Sequence, residues 1–205
     1  MKKIGVLGRH NKEFRDYHIT TEIEEMVLSY GCYPVMIMPS EEFEAALDII
    51  NLCDGIILPG GMDYTDFDAK LIKHVFEHDI PTLGICLGCQ IMGKTFNGNV
   101  ELISEEYLNH KNHDPYVHKI DIFPSKLFDA IGEKSIKVNS IHRRRITKTD
   151  LKVNCLSEDG IIEGVEDPNK TFFVGVQWHP EMMLDYDKNS NKLIKCFFDK
   201  VLTRK

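Results

Sequence analysis

The chain has 205 residues, 25 basic against 32 acidic side chains, a net charge of −7, and 42% apolar and 28% charged residues. These proportions suit one soluble α/β domain with a full core and exclude a disordered chain. The acidic balance argues against a nucleic-acid-binding body, and no segment approaches the roughly 20 apolar residues that span a bilayer.

The opening Met-Lys-Lys-Ile-Gly-Val-Leu-Gly lacks the long apolar run and cleavage site of a signal peptide, so a cytoplasmic location is expected. Strands are predicted at residues 4–7, 34–38, 55–58 and 82–85. Helices are predicted over 20–30, through Phe43, Ala46, Leu47 and Ile50, and over 66–78 and 87–96. Strands apolar throughout and separated by helices imply a parallel sheet covered on both faces, a doubly wound, flavodoxin-like α/β fold. Past residue 99 the spacing shortens. Strands are expected over 100–103, 117–123, 136–138, 153–157, 161–165 and 172–176, some of them antiparallel, and a last helix over 189–202 buries Leu193, Ile194, Phe197, Phe198 and Val201. No repeat or linker divides this chain, so residues 1–205 are expected to form a single domain.

Between the strand at 82–85 and the helix at 87–96 lies Leu83-Gly-Ile-Cys86-Leu-Gly-Cys89-Gln90. Gly-x-Cys-x-Gly is the cysteine form of a nucleophile elbow, in which flanking glycines let the backbone bend and expose the side chain. A thiol at a helix N-terminus also meets the positive end of the dipole, which favours thiolate. Taken alone, the octapeptide leaves three readings open: a Cys86 nucleophile, a Cys86–Cys89 redox pair, and plain packing. Cys32, Cys53, Cys155 and Cys196 read as buried small hydrophobes, and no second Cys-x-x-Cys supports zinc. The tract over residues 110–118 holds His110, His113 and His118 and reads as a loop of solvated histidines, so no metal and no cofactor are expected.

A cysteine nucleophile needs a base, and that base needs an orienting group. Val176-Gln-Trp-His179-Pro-Glu181 supplies both at the end of an apolar strand. Gly60-Gly61 ends the third strand, where a backbone amide paired with that of Leu87 would face an oxyanion.

Leu58-Pro-Gly-Gly-x-Asp63, Gly84-Ile-Cys-Leu-Gly-x-Gln90 and Val176-Gln-Trp-His-Pro-Glu181 resemble, in order and spacing, the class I glutamine amidotransferases and the related γ-glutamyl hydrolases of the peptidase C26 family. The resemblance implies that Cys86 is the nucleophile, His179 the base and Glu181 its orienter. It implies that the amides of Gly61 and Leu87 form the oxyanion hole, and that Gly60 and Gln90 contact the glutamyl group. Cys89 falls at a variable position of the motif and is assigned to packing.

Val138-Asn139-Ser140-Ile-His142 and Asp159-Gly-Ile-Ile-Glu163-Gly-Val-Glu166 resemble the γ-glutamyl-γ-aminobutyrate hydrolase branch, as do the positions of His110 and His118. The resemblance adds Asn139, Ser140 and His142 to the substrate-binding set. Where the branch continues with a second histidine and a glutamine, this chain has Arg143-Arg144-Arg145. Guanidinium forks at Arg143 and Arg144 suit phosphate and carboxylate, so the expected substrate is a small γ-glutamyl conjugate with an anionic amine part, phosphate- or nucleotide-bearing among the candidates. No obligatory synthetase partner is expected, and a homodimer is compatible with the sequence. The rival reading is a glutaminase subunit that passes ammonia to a separate synthetase. A pure binding module would leave the cysteine, histidine and glutamate without a purpose.

Overall fold

The computed structural model describes residues 1–11, 13–105, 107, 110–112 and 114–204. His113 of the histidine tract lies outside the described residues. The first half runs β1 (Lys3–Leu7), β2 (Arg9–Asn11), β3 (Asp16–His18), α1 (Thr21–Ser29), β4 (Tyr33–Ile37), a 3-10 turn over Phe43–Ala46 leading into α2 (Leu47–Asn51), β5 (Gly55–Leu58), α3 (Asp66–Glu77), β6 (Thr82–Ile85) and α4 (Leu87–Thr95). The second runs β7 (Asn99–Leu102), β8 (Lys111–Asn112), β9 (His118–Ile122), α5 (Lys126–Ile131), β10 (Ser135–Val138), β11 (Ser140–Ile141), β12 (Arg144–Lys148), β13 (Lys152–Ser157), β14 (Ile162–Glu166), β15 (Phe173–Val176) and α6 (Lys188–Thr203).

Among the described residues, eleven strands form one sheet whose main path is β10-β9-β13-β14-β15-β6-β5-β1-β4, with β12 and β7 attached through β14. The five parallel strands stand in the order β4-β1-β5-β6-β15. Counted along the chain, this is the 2-1-3-4-5 order of the flavodoxin-like doubly wound folds. The remaining pairings are antiparallel. A mostly parallel sheet flanked by helices, with antiparallel strands added in the second half, is therefore the observed fold.

Alternation along the central strands explains both layers. Ile4, Val6, Ile57, Leu83, Ile85, Val174 and Val176 face a core shared with Ile23, Met26 and Val27 of α1 and with Leu193, Ile194, Phe197, Phe198 and Val201 of α6. Leu7, Ile56, Leu58 and Phe173 face the opposite core, with Phe67, Leu71, Ile72 and Val75 of α3 and Ile91 and Met92 of α4. Side chains that change face at every residue fill both layers at once, which is why these strands read as unbroken apolar runs.

Two expectations change. The helix through Phe43 and Ile50 is a 3-10 turn followed by a five-residue α-helix. The gap between β9 and β10 holds α5, whose start is capped by Ser125 Oγ accepting from Phe128 N (3.0 Å) and whose end turns through Gly132 at φ 77°. Among the described residues no helix is long and apolar enough to cross a membrane.

Chain ends of the parallel strands define the working edge. Arg9 follows β1, Pro59-Gly60-Gly61 follows β5, Cys86 follows β6, and Gln177 to His179 follow β15. Ligands of open α/β sheets bind along this carboxyl edge, beside the point where strand order reverses, here between β1 and β5. A cleft of about 590 Å³ lies there, lined by Arg9, His10, Tyr17, Gly60, Gly61 and Met62 among others.

The edge is held by a backbone contact that tolerates no side chain. A Cβ on Gly88 would collide with the carbonyl oxygen of Leu58 and lie 2.7 Å from Leu58 Cβ. Gly31, at φ +68°, faces open space. Gly88→Ala should therefore cost at least about 2 kcal/mol and lower the thermal midpoint by ~5 °C or more, whereas Gly31→Ala should cost only about 1–2 kcal/mol of backbone strain. Thermal unfolding of both variants checks this; equal losses would mean that α4 shifts freely against β5.

Candidate active site

Cys86 occupies the turn between β6 and α4 at φ 50°, ψ −102°, a region that L-residues avoid. Its amide donates to Val176 O (2.9 Å) and its carbonyl accepts from Gln90 N (3.0 Å), so β15 and α4 fix the strained unit from both sides. The elbow glycines act otherwise than expected. The positive φ falls on Cys86 itself, while Gly84 and Gly88 provide room for Met92 and for the β5 backbone. The thiol is also less open than an elbow implies, since Cys86 is only 6% exposed. Crowding at Gly60 is the reason: a Cβ there would lie 2.7 Å from His179 Cε1 and 3.6 Å from Cys86 Cβ.

His179 stands immediately before the 3-10 turn Pro180–Met183, which brings Glu181 back under the ring; Nδ1 lies 2.7 Å from Glu181 Oε1. Asn139 locks the histidine backbone, accepting from His179 N (2.8 Å) through Oδ1 and donating to His179 O (3.0 Å) through Nδ2. Burial opposes a charge on this imidazole. The Glu181 carboxylate and the hydrogen bond to Cys86 outweigh it and hold the histidine well above its ordinary range. A histidine with one face on a carboxylate and the other on a thiol has the geometry for moving a proton between sulfur and a leaving amine.

Gly61 packs against Leu87, with a Cβ position 3.1 Å from Leu87 Cδ2, so the two backbone segments expected to supply oxyanion donors are neighbours. The loop carrying Gly60 and Gly61 is clamped by a pair that sequence reasoning missed. Arg9 donates to Pro59 O through Nε (3.2 Å) and Nη2 (3.0 Å) and pairs through Nη1 with buried Asp68. Asp68 also accepts from Thr65 N (2.8 Å) and Oγ1 (3.0 Å), completing the capping box of α3. The Arg9 guanidinium, arriving from just past the end of β1, joins the start of α3 to the loop.

The expected substrate-binding residues divide. Gln90 is buried and its Nε2 donates to Arg144 O and Gln177 Oε1, both 3.1 Å away. Ser140 and His142 are buried with partners inside the protein, and Asn139 holds the backbone of His179. The arginines form no single rim cluster, because Arg144 and Arg145 lie on β12, where successive side chains point to opposite faces. Arg144 Nη1 donates to Met62 O (2.7 Å), beside the Gly60-Gly61 loop; Arg145 lies over the Tyr107 ring at 4.2 Å; and exposed Arg143 lines a separate cleft with His110 and His142.

Cys89 is completely buried against Gly175, and its thiol is pushed well above the ordinary range by burial, then by Glu163 and Cys86. A thiol so held stays neutral, which suits packing. The expectation of solvated histidines is corrected for His110 and His118. They are 2% and 4% exposed and gather with His142 around Glu163, because the β8–β11 ladder folds the tract inward.

The sequence pattern of the peptidase C26 family matches residues 65–181. Schizosaccharomyces pombe protein PB2B2.05, whose name assigns it provisionally to the glutamine amidotransferases, is 31% identical over 207 residues, covering 87% of this chain and 80% of its own length. The Dictyostelium discoideum GMP synthase [glutamine-hydrolyzing] is 32% identical over 192 residues, covering 87% of this chain and 25% of that protein. The glutaminase domain of Trypanosoma brucei CTPS, solved with bound acivicin, superposes with a TM-score of 0.75 at 15% identity, covering 100% of this chain and 95% of that one; at such identity it shows the fold. The chain belongs to the peptidase C26 family and takes its place among the glutamine amidotransferase-like proteins.

Proposed function

We propose that this chain hydrolyses the γ-glutamyl amide bond of a small conjugate, releasing glutamate and an amine, with Cys86 as nucleophile. The observation that carries the reading is the strained Cys86 turn set against the His179–Glu181 pair over Gly60. The Cys86 sulfur attacks the γ-carbonyl carbon, and the oxyanion is received by the amides of Gly61 and Leu87. His179 gives its proton to the departing amine as the carbon–nitrogen bond breaks, leaving a γ-glutamyl thioester. Water then attacks the thioester while His179 takes its proton, and the Cys86 sulfur leaves with glutamate released. Glu181 holds Nδ1 and stabilises the imidazolium, and Asn139 fixes the backbone on which the ring turns.

Arg144, bonded to the carbonyl of Met62 in the cleft lining, supports an anionic amine part, because a guanidinium beside the cleft offers donors to carboxylate or phosphate. Phosphate- or nucleotide-bearing amines fall within this class. The chain is proposed to act alone in the cytoplasm. Similarity to the glutamine-hydrolysing GMP synthase favours a second reading, a glutaminase that hands ammonia to a synthetase. Incubating the isolated chain with glutamine and with a panel of γ-glutamyl amides separates the two. Cleavage of glutamine only when a partner is added, with no amide cleaved by the chain alone, selects the second.

Cys86→Ala should abolish glutamate release while keeping the fold, and Cys89→Ala should retain most of it; comparable losses with redox-dependent behaviour would favour a dithiol. For pH, the raised histidine pKa means that the imidazolium survives until pH climbs through that value. Glu181→Gln removes a cause that raises it, so the alkaline limb of kcat/KM should move to lower pH and the rate should fall by roughly 10²-fold or more. An unmoved limb would detach Glu181 from His179. Arg144→Ala should raise KM for an anionic conjugate by about ten- to a hundredfold and leave a neutral γ-glutamyl amide nearly unchanged, with added salt reproducing the difference. Equal responses would remove Arg144 from substrate recognition.

A further inference from the structure

Behind β11 and β12, the side chains of His110, His118 and His142 close on Glu163 of β14, and all four are almost completely buried (2%, 4%, 4% and 0% exposed). Their nitrogens converge on one carboxylate oxygen. Glu163 Oε1 lies 3.3 Å from His110 Nδ1, 3.5 Å from His142 Nε2 and 3.5 Å from His118 Nε2, and His110 Nδ1 lies 3.2 Å from His142 Nε2. Neither Glu163 oxygen nor either His118 nitrogen has a well-aligned hydrogen bond among the described residues. Orphaned polar atoms at this depth cost several kcal/mol unless something joins them.

The outer contacts show which atoms carry protons. His142 Nδ1 faces Arg144 O at 3.0 Å, and a carbonyl oxygen only accepts, so the proton of a neutral ring sits on Nδ1 and the lone pair of Nε2 points inward. His110 Nε2 faces Asp159 Oδ2 at 3.1 Å, which places its proton outward and the Nδ1 lone pair inward. Ser140 Oγ, 3.3 Å from Nδ1, donates instead to His110 O (2.8 Å). Two imidazole lone pairs and a carboxylate oxygen thus meet within 3.5 Å. A tetrahedral ion with bonds of about 2.0–2.1 Å holds its donors about 3.3–3.4 Å apart. A proton on one nitrogen satisfies one edge of this triangle; a cation at its centre satisfies all three. Histidines whose second nitrogen is held by a carboxylate and a backbone carbonyl are also the usual outer arrangement of metal ligands.

We propose that His110 Nδ1, His142 Nε2 and Glu163 Oε1 form a binding site for a divalent transition-metal ion of the zinc class, with His118 against the Glu163 carboxylate and the fourth position open to water. Mixed imidazole and carboxylate donors suit Zn²⁺, Co²⁺ or Fe²⁺, and no cysteine sulfur joins the group among the described residues. A cleft of about 500 Å³ that reaches His110 and His142 gives the ion its route in. The site pins β14 to the β8–β11 ladder and is separate from the thiol chemistry at Cys86.

The test uses the full chain without a polyhistidine tag, stripped with a chelator and titrated with Zn²⁺ and with Co²⁺. Binding of about one equivalent is expected, with Co²⁺ giving the visible bands of a four-coordinate nitrogen and oxygen environment and no thiolate charge-transfer band. Saturating Zn²⁺ should raise the thermal midpoint by about 5–10 °C. Glu163→Gln and His110→Asn should weaken uptake by more than about 100-fold, and Asp159→Asn, which keeps all ligands, by roughly ten- to a hundredfold. Cys86→Ala should bind the metal like the wild type, so failure of the proposed hydrolysis and failure of the site are told apart. Wild-type protein that takes up neither ion overturns the proposal even if the ligand variants fail to fold. So do thiolate bands, or uptake that Glu163→Gln leaves unchanged; a proton shared within the histidine cluster would then account for the geometry.

Discussion

An L-residue held at φ 50° and ψ −102° carries about 1–3 kcal/mol of strain, and Cys86 keeps that conformation because its surroundings leave no alternative. Val176 O and Gln90 N hold its amide and carbonyl, and α4 is pressed so closely on β5 that Gly88 has no room for a Cβ. Relaxing the turn would require α4 to leave both β5 and β15. The strain is thus sustained by the packing of two core layers, and the thiol is aimed by the fold rather than by its own rotamer. The arrangement of the carboxyl edge follows from that aim. His179 has to sit over Gly60 to reach the sulfur, which excludes any side chain at Gly60 and leaves Cys86 largely buried.

The parallel half of the sheet was legible because its strands are covered on both faces and its helices carry one apolar stripe each; β6 and the buried face of α6 match their expected residues. That Cys86, His179 and Glu181 come together was legible because each motif is local, an elbow between strand and helix and a histidine two residues from a carboxylate, and the family resemblance joins the two across the chain. Features built from long-range contacts were not. The β2–β3 hairpin and β12 lack a strong period-2 signal, and the Arg9–Asp68 clamp joins residues 59 positions apart. The histidine tract misled for the same reason. A run rich in His, Asn and Asp looks solvated until a partner 45 positions or more along the chain, Glu163, supplies a charge that draws the imidazoles inward. In α5 the signals were present in Ser125 and Gly132, and the shortness of the connection hid them.

Three buried ionic groups surround this edge, and each answers desolvation differently. Arg9 and Asp68 satisfy one another and also Pro59 O and the start of α3, so their charges position a loop. His179 and Glu181 leave one face of the imidazole on Cys86, and their charge is available to chemistry. Glu163 is wholly enclosed among three imidazoles, and no well-aligned hydrogen bond reaches either of its oxygens among the described residues. Removing one member of any such group strands the other in a medium that solvates it poorly, which makes all three sensitive to single substitutions.

The segment from residue 139 to residue 144 joins these groups. Asn139 grips the backbone of His179, Ser140 bonds His110 O, His142 faces Glu163 while donating to Arg144 O, and Arg144 reaches Met62 beside the glycine loop. Arg144 O accepts from Gln90 as well, so one carbonyl stands between the histidine cluster and α4, the helix that follows Cys86. Six consecutive residues therefore set the backbone of His179, hold Met62 of the cleft lining and position two histidines of the buried cluster. Divergence within this stretch does more than exchange side chains at a rim. Arg144 brings a guanidinium toward the glycine loop while its carbonyl remains bound to His142 of the cluster. A substitution in this stretch would therefore act on the glycine loop and on the cluster together, because the segment is bonded to both.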